Sequence, residues 1–167
     1  NVVMGSNALA ATTTGQDNVA IGRRSLENNT ASNNTAVGFD SLRANTTGNN
    51  QVAVGSLALD ANTTGLYNTA VGSAALTSST DGNNNVAIGY QALDSNVSGS
   101  DSVAVGKGAL QAFTGSSSVG GSVGVGRDAL YSLTTGESHV AIGENAGYSV
   151  TTGNNTVAIG KLALYAN

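Results

Sequence analysis

The chain has no cysteine, no proline and no tryptophan in its 167 residues. Without cysteine there is no disulfide framework and no thiolate metal site. Without proline, glycine and asparagine must supply the turns. Charge is scarce as well: charged residues are 10% of the chain, where an ordinary soluble domain has about 25%. Six Lys and Arg against ten Asp and Glu leave a net charge of −4. That balance offers no basic footprint for nucleic acid and no polybasic signal for a membrane surface. No apolar run approaches the ~20 residues of a spanning helix, and the first residues do not read as a signal peptide. With one histidine, His139, a zinc site would need ligands from several chains, because zinc takes three or four of them.

What the chain does have is one phrase, Val-Ala-Ile/Val-Gly, returning ten times. Its closing glycines stand at 5, 22, 38, 55, 72, 89, 106, 126, 143 and 160. Seven of the nine gaps are 17 residues; one is 16 and one is 20. A fixed period of this kind is the mark of a repeat architecture. We number positions from the first Val of each copy. Position 2 is nearly always Ala, position 4 is always Gly, and position 8 is Leu in nine of ten copies. A polar half follows, most cleanly as Asn45-Thr46-Thr47-Gly48 and Asn62-Thr63-Thr64-Gly65. Regular apolar positions of this kind argue against a disordered tract, which has no need to hold register.

Val-Ala-Ile alternates large and small, and successive strand side chains face opposite ways. The β-branched pair suits a strand; the Gly suits a bend; Asn-Thr-Thr-Gly suits a turn. The expected fold is all-β, a parallel β-solenoid or β-roll of ten coils of about 17 residues. Coils stacked at about 4.8 Å make a rod roughly 45–50 Å long. The reading that large residues face inward gives a core of Val19, Ile21, Leu26, Val52, Val54, Leu59, Val86, Ile88, Leu93, Val140, Ile142, Val157 and Ile159. On that reading Ile88→Asp collapses the rod. Ala20, Ala36, Ala53, Ala70, Ala87, Ala104, Ala141 and Ala158 then form an outward stripe. A small apolar stripe of that kind is expected to be a subunit interface, most simply in a homotrimer. Residues 1–167 begin and end inside repeats, so we expect a single solenoid segment of a longer fibrous protein.

Three copies depart from the pattern. The second carries Asn29-Thr30-Ala31-Ser32 instead of the Thr-Thr-Gly turn. The seventh holds a Ser-rich insertion, Ser116 to Ser122, expected as a loop on the polar side. The ninth has Gly147 where Leu belongs, with Tyr148 placed to fill the gap.

The string Asn34-Thr35-Ala36-Val37-Gly38 through Asn45-Thr46-Thr47-Gly48, repeated at 17, resembles the repeats of phage tail-fibre and related surface proteins. The Val-Ala-Ile-Gly phrase also looks like the head repeats of trimeric autotransporter adhesins, whose repeats are usually shorter than 17. The resemblance implies a trimeric parallel solenoid used for reach and attachment, on a virion or at the outside of a cell. No chaperone-like module, heptad stalk or membrane anchor stands in these residues.

Chemistry-bearing motifs are few. Gly120-Gly121-Ser122-Val123-Gly124 has the spacing of a nucleophile elbow, but that motif needs a strand-to-helix turn and triad partners. Gly106-Lys107-Gly108 and Gly124-Val125-Gly126 restate the repeat and open no helix, as a phosphate loop must. His139 replaces the Asn of other copies and reads as a solvated turn histidine. The Asn-x-Thr/Ser triplets at Asn28, Asn33, Asn45, Asn62, Asn96 and Asn154 read as turn asparagines rather than glycosylation sites. Charges and aromatics gather past the Gly corner: Arg23, Arg24, Lys107, Arg127, Lys161, Glu144, Asp60 and Asp94, with Phe39, Tyr90, Tyr131 and Tyr165. The functional expectation is a stiff extracellular or virion shaft, not an enzyme, with no cofactor and no metal. Its partners would be its own copies and a cell-surface glycan or receptor. The second reading is a solenoid whose regular face binds glycan or, through its Thr-Thr pairs, ice.

Overall fold

The computed structural model describes residues 1–115 and 121–166. Ten three-residue strands follow one another: β1 (Val2–Met4), β2 (Val19–Ile21), β3 (Thr35–Val37), β4 (Val52–Val54), β5 (Thr69–Val71), β6 (Val86–Ile88), β7 (Val103–Val105), β8 (Val123–Val125), β9 (Val140–Ile142) and β10 (Val157–Ile159). They form one parallel sheet in strict sequence order. Each residue pairs with its equivalent in the next copy, as Ala20 with Ala36 and Val54 with Val71. The molecule is therefore a parallel β-solenoid, and we call each strand with the chain that follows it a coil. The coils are joined round their whole circumference. Leu26 N–H donates to Ser41 O at 3.0 Å, and Leu42 N–H to Ala58 O at 3.0 Å. On the polar side Thr46 N–H donates to Thr63 O at 3.0 Å.

Gly at position 4 is dictated by this stacking. At Gly55 φ is +136°, and a Cβ there would run into the backbone of Gly72 in the next coil. Position 8 is less forgiving than the sequence implies. Leu26, Leu42, Leu59, Leu76 and Leu93 have φ between +50° and +53°, a left-handed conformation that costs a non-Gly residue about 1–2 kcal/mol. Ala-Leu is thus a left-handed corner that turns each leucine inward. Those leucines are fully buried, and their burial at roughly 1.5–3 kcal/mol each offsets the backbone strain.

The inward and outward faces of the strand are reversed from the expectation. Ala20, Ala36, Ala53, Ala70, Ala87, Ala104 and Ala141 are 0% exposed and Ala158 is 2% exposed, all within a single chain. They line the interior and form no outward stripe. Val19, Ile21, Val86 and Val140 are half-buried on the outer face, and Val52, Val54, Ile88, Ile142, Val157 and Ile159 are exposed there. The reason is space. The coil is flat, and the leucine of position 8 already fills its width. At Gly124, the one glycine in the Ala column, an added Cβ would meet Leu110 Cγ at 3.3 Å. An alanine fits in that gap; a branched side chain does not.

The other half of the interior is polar. Asn18, Asn34, Gln51, Asn68 and Asn85 are buried at the last position of their repeats. Each side-chain amide bonds twice to the next coil. Asn34 Nδ2 donates to Gly48 O at 2.9 Å, and its Oδ1 accepts Gln51 N–H at 2.9 Å. A second column holds Asn29, Asn45 and Asn62, joined at 2.6 and 2.8 Å. It turns apolar in later coils, as Phe113, Leu133 and Val150. At Gly147 the missing leucine is not replaced by Tyr148, which faces outward; Leu130 Cδ2 stands 2.9 Å from where a Cβ would be. The insertion expected from Ser116 to Ser122 falls mainly at 116–120, outside the described residues.

The reversal sets an expected outcome. Ala87→Asp places an unpaired charge in a closed interior, costing several kcal/mol, and thermal melting followed by circular dichroism should show loss of the β signal. Ile88→Asp should leave the fold of the chain in place, with a stability change near ~0.5 kcal/mol typical of surface positions.

Candidate functional site

Three surfaces run the length of the solenoid, and each is one or two columns of the repeat. The first is the outer face of the sheet. Positions 1 and 3 place two columns of Val, Ile and Thr side by side across ten strands. Their exposure reaches 40% at Ile88 and 66% at Ile159. Among the described residues no other element packs over this face. It presents the Val and Ile residues that the sequence assigns to the core, and the alanines that the sequence assigns to the interface lie beneath it.

The second surface is the threonine turn. The leading hydroxyl of this turn is occupied. Thr30, Thr46 and Thr63 each donate from Oγ1 to the backbone carbonyl of the next coil, at 2.8, 2.9 and 3.0 Å. They build an internal ladder, while the second threonine of the pair, as Thr47 and Thr64, stays exposed. Of the six sequon asparagines, Asn45, Asn62 and Asn96 are 0% exposed, and Asn45 Nδ2 closes its own turn on Gly48 O at 2.9 Å. These three are buried turn formers, out of reach of a modifying enzyme.

The third surface lies past the Gly corner, at positions 5, 6 and 9. Here charges form ladders from coil to coil. Arg43 Nε donates to Asp60 Oδ1 at 2.9 Å, and Arg24 pairs with Asp40. Arg127 and Lys161 flank Glu144, the lysine at 3.3 Å. Arg23 sits 4.7 Å above the Phe39 ring centroid. Further along, position 9 becomes aromatic. Tyr131 and Tyr148 stack in parallel with centroids 5.2 Å apart, and Tyr165 follows at 5.4 Å with its ring tilted by 31°. The 17-residue spacing of these three tyrosines is legible in the sequence, although sequence alone points Tyr148 into the core. Beside Tyr131 is a cleft of about 290 Å³, also lined by Tyr90, Gln91, Lys107, Gln111 and Asp128.

His139 is not a solvated turn residue. It is 0% exposed and stands in the buried asparagine column. Its Nε2 lies 3.0 Å from Gly153 O, the contact an asparagine amide makes in other coils. Its Nδ1, the ring's acceptor when Nε2 donates, is buried without a partner, so the acceptor contact of the column is missing. Isolated in this way, His139 faces no acid or nucleophile. Ser122 Oγ accepts the His139 backbone N–H at 3.4 Å, a ladder contact and not a triad geometry. Gly120 of the elbow-like string lies outside the described residues, and Val123–Val125 is a strand. Among the described residues no three His, Asp or Glu side chains converge as a metal site. No described helix is long and apolar enough to cross a membrane.

No family model matches the chain, and no curated protein or solved structure is found similar to it.

Two outcomes follow from the ladders. Replacing His139 with Asn restores both contacts of the column, so His139→Asn should raise stability by about 1 kcal/mol, the usual scale of one buried hydrogen bond; urea denaturation measures it. Two carboxyls should depart from their ordinary values in opposite directions. Hydrogen bonding from Arg127, then from Lys161, holds Glu144 below the ordinary carboxylate range. Its small contribution is present above the unfolded pKa and is lost as pH falls through the folded one. Burial raises the Asp60 carboxyl against the pull of Arg43, so its contribution has the opposite sign and is lost as pH rises through that raised value. Carboxyl-carbon NMR should show Glu144 titrating below the ordinary glutamate value and Asp60 above the ordinary aspartate value, and Arg127→Met should move Glu144 upward.

Proposed function

We propose that this chain is a stiff structural segment of a fibre that self-associates through its outward Val/Ile face. The observation that carries the reading is the outer face of the sheet, with its two columns of branched apolar side chains open across ten strands. Contiguous exposed apolar surface of this extent marks an interaction site. The face is straight and regular, and its residues recur at one coil spacing, so a second copy in the same direction matches it residue for residue. A homotrimer with three such sheets turned toward one axis covers every face and closes the assembly. The stacked backbone ladders and the amide columns supply stiffness along the axis. The resemblance of the Asn-Thr-Ala-Val-Gly repeat to tail-fibre and adhesin repeats supports a place outside the cell, on a virion or cell surface, where such a rod carries an attachment tip. The role is mechanical and involves no reaction. Thr46 and Thr63 spend their hydroxyls on the next coil, which leaves only the second threonine of each pair to face ice and weighs against ice as the partner.

Light scattering on the intact chain decides this. The expected mass is three times the 16.4 kDa of one chain. Ile88→Asp combined with Val54→Asp should reduce it to the mass of one chain with the β signal kept. A wild-type particle of 16.4 kDa at high concentration would overturn self-association.

A further inference from the structure

We infer that the cleft beside Tyr131 is a binding site for a single neutral pyranose sugar. This goes beyond self-association and does not depend on it, since the cleft is built from positions 5, 6 and 9 and the outer sheet face from positions 1 and 3.

The cleft exists because two columns change identity next to each other. Position 6 carries a side chain in the neighbouring coils, Gln91 on one side and Asp128 on the other, and is Gly108 between them. Gly108 has φ +66°. Asp128 Oδ1 crowds the place where its Cβ would stand, with Gln111 Oε1 and Tyr131 Cδ2 each at 3.4 Å. The missing side chain leaves room into which the Asp128 carboxylate leans, with Gln111 and Tyr131 at its border. Position 9 changes from Gln111 to Tyr131 across the same step. Tyr148 covers one face of the Tyr131 ring at 5.2 Å. The other face is turned back toward the coil of Gly108 and Gln111.

The chemistry of the walls selects the ligand. An aromatic face held rigid by stacking receives a flat apolar surface, and the C–H face of a pyranose is one. The groups around it are two amides, a carboxylate and an ammonium: Gln91, Gln111, Asp128 and Lys107. Hydroxyl groups both donate and accept, and this set offers both roles. Among the described residues none of these four side chains is held by a hydrogen bond or ion pair within the chain, unlike the paired Arg43–Asp60 and Arg127–Glu144 on the same surface. One cation and one anion balance, so the site favours an uncharged ligand. The volume, about 290 Å³, lies at the lower edge of the roughly 300–1,000 Å³ of small-molecule pockets, which fits one ring with the rest of a chain left in solvent. In the earlier coils position 9 is Ala10, Glu27, Arg43, Asp60, Thr77 or Asp94, so the Tyr platform and the Gly gap meet once per chain.

The test is saturation-transfer NMR on the intact chain with methyl glucosides, galactosides and mannosides in both anomeric forms. At least one should bind with a dissociation constant on the order of 1 mM. Gly108→Asn should weaken that binding at least ~10-fold. Position 6 already carries Asn7 at φ 57° and Asn145 at φ 56°, so this variant keeps the fold while closing the gap. Tyr131→Thr, which copies Thr77 at position 9, should have the same effect by removing the platform. Circular dichroism confirms that both variants are folded. No transfer to any of the sugars at about ten times that concentration would overturn the inference, as would equal binding by the wild-type chain and both variants.

Discussion

Every part of this structure depends on stacking identical backbones in register. A coil of 17 residues has three strand residues and buries only a few side chains, too little to hold itself together. It gains its order from the coil on either side, residue against equivalent residue. Hydrogen bonds from Leu26 to Ser41, from Thr46 to Thr63 and from Gly55 to Val37 are the same act at three points of the circumference. Anything that blocks close approach at one position blocks it in every neighbour. That is why a backbone carbonyl faces the Cα of the stacked corner glycines, and why that position admits no side chain. It is also why leucine tolerates a left-handed backbone: the corner it sits on must close at the same place each time.

Register also governs the interior. A buried amide in an ordinary core needs a bespoke partner, but in a stack its partners are backbone groups of the next coil. Asn34, Gln51 and Asn68 each satisfy donor and acceptor by repetition alone. The same rule exposes substitutions that break it. His139 keeps the donor contact and loses the acceptor contact, so one column carries a local defect at an identifiable nitrogen. The second asparagine column shows the same kind of defect where Ser79 follows Asn62, leaving Asn62 Oδ1 and Ser79 Oγ buried without partners, and loses the need for partners only where Phe113, Leu133 and Val150 follow one another.

Much of the fold is legible in the sequence. The fixed return of Gly and Leu sets the coil length, the parallel order and the place of the corner. Sidedness is not legible in the same way, and the physical reason is size. Alternation says that Val and Ile oppose Ala; it does not say which side is inside. Hydrophobicity favours the larger residues, yet a flat coil that already holds a leucine has room only for a methyl group. A signal is present in the near-constancy of Ala at position 2 beside the tolerance of Thr35 and Thr69 at position 1. A position that accepts threonine for valine faces outward more readily than one held at alanine. The asparagines mislead in the same way, since turn chemistry is visible in the sequence and the stacking that buries it is not. The tyrosine column can be read from its spacing, whereas the cleft cannot, because it needs the side-by-side placement of Gly108 and Tyr131, 23 residues apart.

A stack built on these terms divides its sequence into positions that repetition holds fixed and positions it leaves free. The inward alanine, the corner glycine, the corner leucine and the buried amide are constrained by the coil above and below. Positions 5, 6 and 9 point outward and need only be compatible with a left-handed or extended backbone. Charges there settle into ladders, such as Arg43 with Asp60, because each column presents its neighbour at a fixed distance. A uniform column gives a uniform stripe, which suits lateral packing and offers no pocket. A pocket requires two free columns to change at one step. In the coils that follow β7 and β8, position 6 drops to glycine while position 9 turns aromatic, and a recess on the rod is the geometric consequence. Specific recognition on a solenoid is therefore sought where its repeats disagree outside the constrained positions, and stiffness where they agree.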